Sequence, residues 1–367
     1  AAIMILTRVG GEGSDMAMTG TDGEDGNYLK LSEREKSVLT GMAQLKKQGK
    51  IKKIVVLLNV SNQLESKFLY DAEYAVDAAL WIGCAGISGF NAVGDIVAGK
   101  VNPSGRLSDT FWFEHKYNPA TYNFGAFTYT NAAEMGLPTT KLGTLDGKYS
   151  SYVVYAEGIY VGYRYAETRY YDVVTKRPNT GSFDYSKIIS HPFGYGESYT
   201  SFAYSDYDVT DNADGTYSVS VKVTNTGGRA GREVVQVYVK KPFENGGLET
   251  PAVELVGYAK TETIAPNDSR IVSITVDKKD FAVYDSEDKK TYVIPGGEYF
   301  VAVGKNAHNA VNNVLAKEGR TIADGMDEDG DASLVKSFAL DYDAQTYSKT
   351  ADGKSITNLF DNADVNK

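Results

Sequence analysis

A single cysteine, Cys84, in 367 residues excludes an internal disulfide framework and a cysteine-rich zinc site. Histidine is almost as scarce. His115, His191 and His308 stand in three separate segments, so any histidine cluster has to be assembled by the fold. No apolar run approaches the ~18 residues of a membrane-spanning helix, and no basic stretch followed by an apolar core opens the chain. Basic runs are missing too. The 38 Lys and Arg against 48 Asp and Glu leave a net charge of −10, which argues against nucleic acid or an anionic membrane as a partner. Glycine (37) and tyrosine (27) are abundant, a composition that suits strands, turns and loops better than a helical bundle. At about 150 residues per domain, the length predicts two or three domains.

Residues 3–6 (IMIL), 54–60 (IVVLLNV) and 76–81 (VDAALW) read as strands. The first of them is fully apolar, which suits a parallel strand covered on both faces. Ser32 with Glu35 forms a capping box that opens a helix of about fifteen residues, of ordinary globular length. Lys46 and Lys47 suit its C-terminal end. A second helical pattern covers residues 89–98 (GFNAVGDIVA). Strands alternating with helices imply βα units and an open, mostly parallel α/β sheet. With only three strands that sheet is thin: either strands are supplied elsewhere or the domain is cut at its start. Sixteen of the 27 tyrosines lie within residues 117–207, a long irregular stretch of the kind that is functional or wraps another domain. Beyond it the texture changes. Residues 217–223 (YSVSVKV) alternate strictly, and 234–239, 271–276 and 299–303 repeat the theme between turn signals, which predicts a β-sandwich. The expected layout is therefore an α/β domain over 1–115, an aromatic-rich connection over 116–200, a β-sandwich over 201–306 and a tail over 307–367.

Residues 10–15 (GGEGSD) follow the first buried strand directly, and loops at the C-terminal ends of parallel strands are where open α/β sheets place ligands. A dinucleotide loop fails on detail: the third glycine of that fingerprint falls at Met16, and the next helix opens too far away. Glu12 flanked by glycines suits a carboxylate presented to a substrate as a general acid/base. A solvated glutamate in a flexible turn competes with that reading, and spacing does not separate the two. Residues 102–107 (NPSGRL) are a turn in which Arg106 has the chance to pair with a carboxylate. Tyr160, Gly162 and Arg164 would share one face of a strand. Cys84 reads as a small core residue. Asp327, Asp329 and Asp331 do not complete a calcium loop, because Ala332 and Phe338 stand where it needs Gly and Glu.

Together the segments GGEGSD, KKIVVLLN, VDAALWIGCAGISGFNAVGDIVAGKVNPSGRLSDTF, YAEGIYVGYRYAETRYYD and HPFGYGESYTSF, followed by VKVTNTGGRAGREVVQVYV and PGGEYFVAVG, stand in an order that resembles the α/β-sandwich and fibronectin type III-like domains of glycoside hydrolase family 3. The resemblance covers about residues 1–306. It implies a partial αβα sandwich, with an open mostly parallel sheet, followed by a fibronectin type III-like β-sandwich. It implies a retaining, exo-acting β-glycosidase resembling the β-glucosidases, with Glu12 as acid/base and no cofactor or metal. In that family the nucleophile is an Asp on a (β/α)8 barrel, in a Ser-Asp-Trp-like motif. Ser14-Asp15-Met16, Ser108-Asp109-Thr110 and Ser205-Asp206-Tyr207 lack the Trp, so the nucleophile and barrel are expected outside this chain, in cis or in trans. The tail then resembles the lead into that barrel in circularly permuted members. Asp15 and Met16, with Trp112 in the aromatic stretch, are expected to border the leaving-group subsite. The implied partner is a β-glucoside or oligosaccharide. The competing class is a non-catalytic accessory module that binds a carbohydrate or a protein partner.

Overall fold

The computed structural model describes residues 1–8, 27–123, 127–139, 144–145, 148–152, 154–178, 180–347, 349–350 and 352–356. Strands β1 (Ala2–Thr7), β2 (Ile54–Asn59) and β3 (Ala78–Trp81) form a parallel sheet in the order β1-β2-β3, with Leu6 opposite Leu58 and Leu58 opposite Trp81. Helix α1 (Glu33–Lys47) starts at the Ser32–Glu35 capping box read from the sequence. It buries Leu39 against Leu6, Ile54 and Val56. The opposite side of β1 departs from the expectation. Met4 and Leu6 are buried, but Ile3 and Ile5 are about half exposed, because nothing among the described residues packs over them. Helix α2 (Gly86–Val97) is similarly open, with Ile87 and Phe90 in solvent. Cys84, just ahead of α2, is exposed rather than a core residue.

The sandwich pairs a three-stranded sheet (Phe202–Asp211, Thr216–Asn225, Ser269–Asp277) with a four-stranded one (Glu254–Lys260, Val234–Lys240, Gly297–Gly304, Val335–Leu340). All these pairings are antiparallel. Thr216–Asn225 alternates buried and half-buried along its length, sending Tyr217, Val219, Val221 and Val223 into the core between the sheets. Val234–Lys240 does not alternate; it is buried at almost every position. Val235, Val237 and Val239 enter the inter-sheet core, while Tyr238 enters a second core on the outer face.

That second core explains the aromatic connection. A two-residue strand β4 (Phe111–Trp112) pairs with Ile189–His191, followed by the one-turn helix α3 (Pro119–Asn123). In place of the expected strand over Tyr160 and Arg164, a turn precedes Tyr160, and helix α4 (Tyr163–Val174) starts directly after Gly162, whose φ of 60° favours glycine. Ala166, Tyr170 and Val174 recur at helical spacing and are buried. With the short α5 (Tyr185–Ile188) and with α6 (Ala307–Lys317) they cover the outer face of the four-stranded sheet around Tyr238, Phe300 and Ala302. Much of what reads as a tail from residue 307 is thus part of the packed body: α6 closes the second core, and Val335–Leu340 adds an edge strand to the sandwich.

This core holds a buried charged network. His308 on α6 contacts Glu167 of α4 through Nδ1 at 2.8 Å and Asp327 through Nε2 at 2.9 Å. The Tyr185 hydroxyl donates to the other Glu167 oxygen at 2.6 Å, and its ring stacks on the imidazole at 3.8 Å between centroids. Burial works against the imidazolium, but the two carboxylates outweigh it and push the His308 pKa up to about 10. Asp327, read from sequence as part of an incomplete calcium loop, is committed to His308 and to the Tyr170 hydroxyl at 2.8 Å.

Candidate active site

The parallel sheet aims the C-terminal ends of β1, β2 and β3 at one edge, where open α/β sheets present ligands. The stretch carrying Glu12, Asp15 and Met16 leaves that edge after β1. These three residues lie outside the described ones, within 9–26. The two stems of the stretch, Arg8 and residues 27–31, are described, and they are built tightly.

Arg8 is the first residue beyond β1, with a side chain only 5% exposed. Its guanidinium makes two parallel bonds to Glu35, at 2.6 and 2.8 Å. Nε donates to the carbonyl of Tyr28 at 2.8 Å, Nη2 to that of Lys30 at 2.7 Å, and Nη1 to that of Thr7 at 3.0 Å. Each of the five guanidinium N–H groups thus has an acceptor. The carbonyl of Leu29, between those of Tyr28 and Lys30, accepts from the backbone N–H of Glu65 at 2.9 Å. Three successive carbonyls of the returning stem are therefore held, two by the outgoing stem and one by the chain beyond β2. Asn27 opens the return with an Asx turn onto Leu29 N at 2.9 Å. Glu35 is also the N3 residue of the α1 capping box, accepting from Ser32 N at 2.8 Å. Burial would raise its carboxyl pKa, but the hydrogen bonds from Arg8 and Ser32 prevail and lower it.

The same edge carries two further carboxyls. Glu65 is buried and accepts the backbone N–H of His115 at 3.1 Å. Desolvation raises its pKa and lowers that of His115 to about 4. Asp109 accepts from Gln63 at 2.5 Å and from Thr110 N at 2.8 Å, and burial raises it as well. Arg106 has the carboxylate partner its turn suggested. It pairs with Glu233 and ties residues 102–107 to the sandwich.

Trp112 is buried rather than open to solvent. It is 1% exposed, sits in the second core with its ring 6.5 Å from Tyr165, and its indole N–H has no partner among the described residues. Its expected place at a subsite draws no support from that position. Tyr117, Tyr122 and Tyr129 of the same stretch are exposed, as are Tyr149, Tyr152, Tyr155 and Tyr199 further along. Two clefts, of about 490 and 400 Å³, open around Lys240 and Phe300 and around Tyr160, Arg169 and Arg177; neither includes a residue of the loop stems. Among the described residues, no group of three or more His, Cys, Asp and Glu is placed to hold a metal ion.

Sequence reasoning missed the Arg8–Glu35 pair. Its one local signal is a charged residue closing an apolar strand; the partner lies 27 positions away.

Comparison with known proteins gives two family models: the glycosyl hydrolase family 3 C-terminal domain over residues 1–163 and a fibronectin type III-like domain over 233–307. Thermostable beta-glucosidase B of Acetivibrio thermocellus is 31% identical over 79% of this chain and 32% of its own length. A beta-glucosidase of Ruminococcus albus is 32% identical over 84% of this chain and 27% of its own. The structure of beta-glucosidase 3B from Thermotoga neapolitana in complex with alpha-D-glucose matches 92% of this chain and 37% of its own with a TM-score of 0.66 at 29% identity. The chain spans about a third or less of the curated relatives it matches.

Proposed function

We propose that this chain, whose residues 1–163 match the glycosyl hydrolase family 3 C-terminal domain and 233–307 a fibronectin type III-like domain, supplies the general acid/base, Glu12, to a retaining exo-β-glycosidase acting on β-glucosides. An Asp on a (β/α)8 barrel elsewhere in the full natural protein, or on a partner chain, attacks the anomeric carbon. Glu12 protonates the departing glycosidic oxygen, and the sugar is left as an ester on the Asp. Glu12, now ionised, takes a proton from water as that water displaces the Asp. In such enzymes the two carboxyls stand about 5–5.5 Å apart, so Glu12 works only when its loop is pressed against the barrel.

The observation that supports this reading is that the sequence GGEGSD follows β1. It leaves the C-terminal end of a parallel strand, inside the part matched by the family 3 model, on stems that Arg8 and Glu65 hold in place. The test is an assay of the 367-residue chain on an aryl β-glucoside, alone and together with the barrel. Hydrolysis is expected only with the barrel present. Hydrolysis by the chain alone, abolished by Glu12→Gln, would overturn the division of labour and place the second carboxyl within these residues.

A further inference from the structure

We propose that Arg8 is the positioning residue of the acid/base loop, acting through Glu35 and the carbonyls of the returning stem to fix where Glu12 meets the glycosidic oxygen. The inference rests on the reading of Glu12 as acid/base. Its physical basis is the way the guanidinium is used. An ion pair serving stability alone would need one carboxylate, and buried pairs of that kind add little over apolar side chains of similar size. Arg8 instead spends three of its five N–H groups on backbone carbonyls, one on its own strand end and two on the stem that returns from residues 9–26. Outgoing and returning chain are thereby joined across one planar group, with its remaining two donors locked on Glu35. Because Glu35 is itself fixed by the capping box of α1, the clamp is referenced to a rigid helix.

This arrangement needs an arginine. Lysine has no planar fork and cannot reach the carboxylate and the separate carbonyls at once. Both ends of the stretch that carries Glu12 are thereby set relative to α1, and a misplacement of about 1 Å costs a catalytic group on the order of 100-fold. Glu65 assists from the other side through its N–H on Leu29. That bond comes from the backbone, so side-chain replacement at Glu65 leaves the donor in place.

The test uses the full natural protein with its barrel and three variants: Arg8→Lys, Glu35→Gln and Glu12→Gln. The quantity read is kcat/KM for phenyl β-glucoside, whose leaving group needs protonation, divided by kcat/KM for 2,4-dinitrophenyl β-glucoside, whose leaving group does not. Because both rates are measured on one sample, their ratio is independent of the fraction of enzyme that folds. Arg8→Lys is expected to lower this ratio about 10–100-fold, and Glu35→Gln to lower it by less, both in the direction of Glu12→Gln. An unchanged ratio in Arg8→Lys and Glu35→Gln, with a lowered one in Glu12→Gln, would overturn the positioning role and leave the acid/base assignment standing. An unchanged ratio in Glu12→Gln would remove that assignment and the positioning role with it.

Discussion

Glu12→Gln in the full natural protein is expected to lower kcat/KM for phenyl β-glucoside by about 10²–10⁴-fold, the usual worth of a positioned acid or base. The loss has a signature. The amide cannot donate a proton to the departing oxygen, so the penalty grows with the basicity of the leaving group and is slight for 2,4-dinitrophenol. The second step suffers independently, because the amide cannot take a proton from water. Good leaving groups should therefore show an early burst of phenol followed by slow turnover, as the glycosyl ester accumulates. A wild-type rate on the phenyl glucoside would end the assignment. A loss of equal size on both substrates would point to a binding or folding role for Glu12 instead.

The second large effect belongs to stability. His308→Ala removes the cation between Glu167, which is 0% exposed, and Asp327. Breaking a buried pair from one side typically costs about 3–5 kcal/mol, because the remaining charge stays buried without a partner. Chemical denaturation of the chain measures the loss. Replacing His308 and Glu167 together by Leu should cost less than the His308→Leu change alone, since that removes one stranded carboxylate.

The pH dependence follows from the sign of the shift. The folded-state pKa of His308 is raised to about 10, above the ~6.5 of an unfolded histidine. The folded state therefore binds the proton more tightly. The stability gap between wild type and variant is full below about pH 6.5 and closes as the pH rises through about 10. The groups that face the imidazole are Glu167, Asp327, Tyr170 and Tyr185. A gap that stayed constant up to pH 10 would show that the imidazole is not held as the cation.

What the sequence made legible is whatever depends on neighbours in the chain. The apolar runs of β1 and β2, the Ser32–Glu35 box and the strict alternation of residues 217–223 each have a local period or spacing, and each appears in the structure where it was read. What stayed hidden depends on partners far along the chain. His308 and Glu167 are 141 positions apart, and Arg8 and Glu35 are 27 apart. Neither pair leaves a periodic trace. Tyr160 to Arg164 predict a strand because tyrosines favour strands, whereas helix α4 already begins at Tyr163. Its helical stripe of Ala166, Tyr170 and Val174 matters only once α6 supplies the surface it packs against. The near-continuous burial of Val234–Lys240 has the same origin, since the aromatic connection covers the outer face of the sheet. Cys84 was misplaced for the reverse reason: nothing among the described residues covers it. The acid/base reading itself came from a short motif and the family likeness. Its stems, and not its tip, are what the fold makes visible.

The account stands or falls on Glu12 acting as acid and base opposite a nucleophile supplied from elsewhere, and azide rescue tests this most directly. In Glu12→Ala the first step still proceeds with 2,4-dinitrophenyl β-glucoside, and the glycosyl ester then waits for a base that is gone. Azide needs no base and fits the space left by the carboxyl. The account predicts that added azide restores turnover and that the product is β-glucosyl azide, with configuration retained. No rescue would contradict the role of Glu12. An α-configured azide would contradict it differently, by showing that Glu12 is the nucleophile itself.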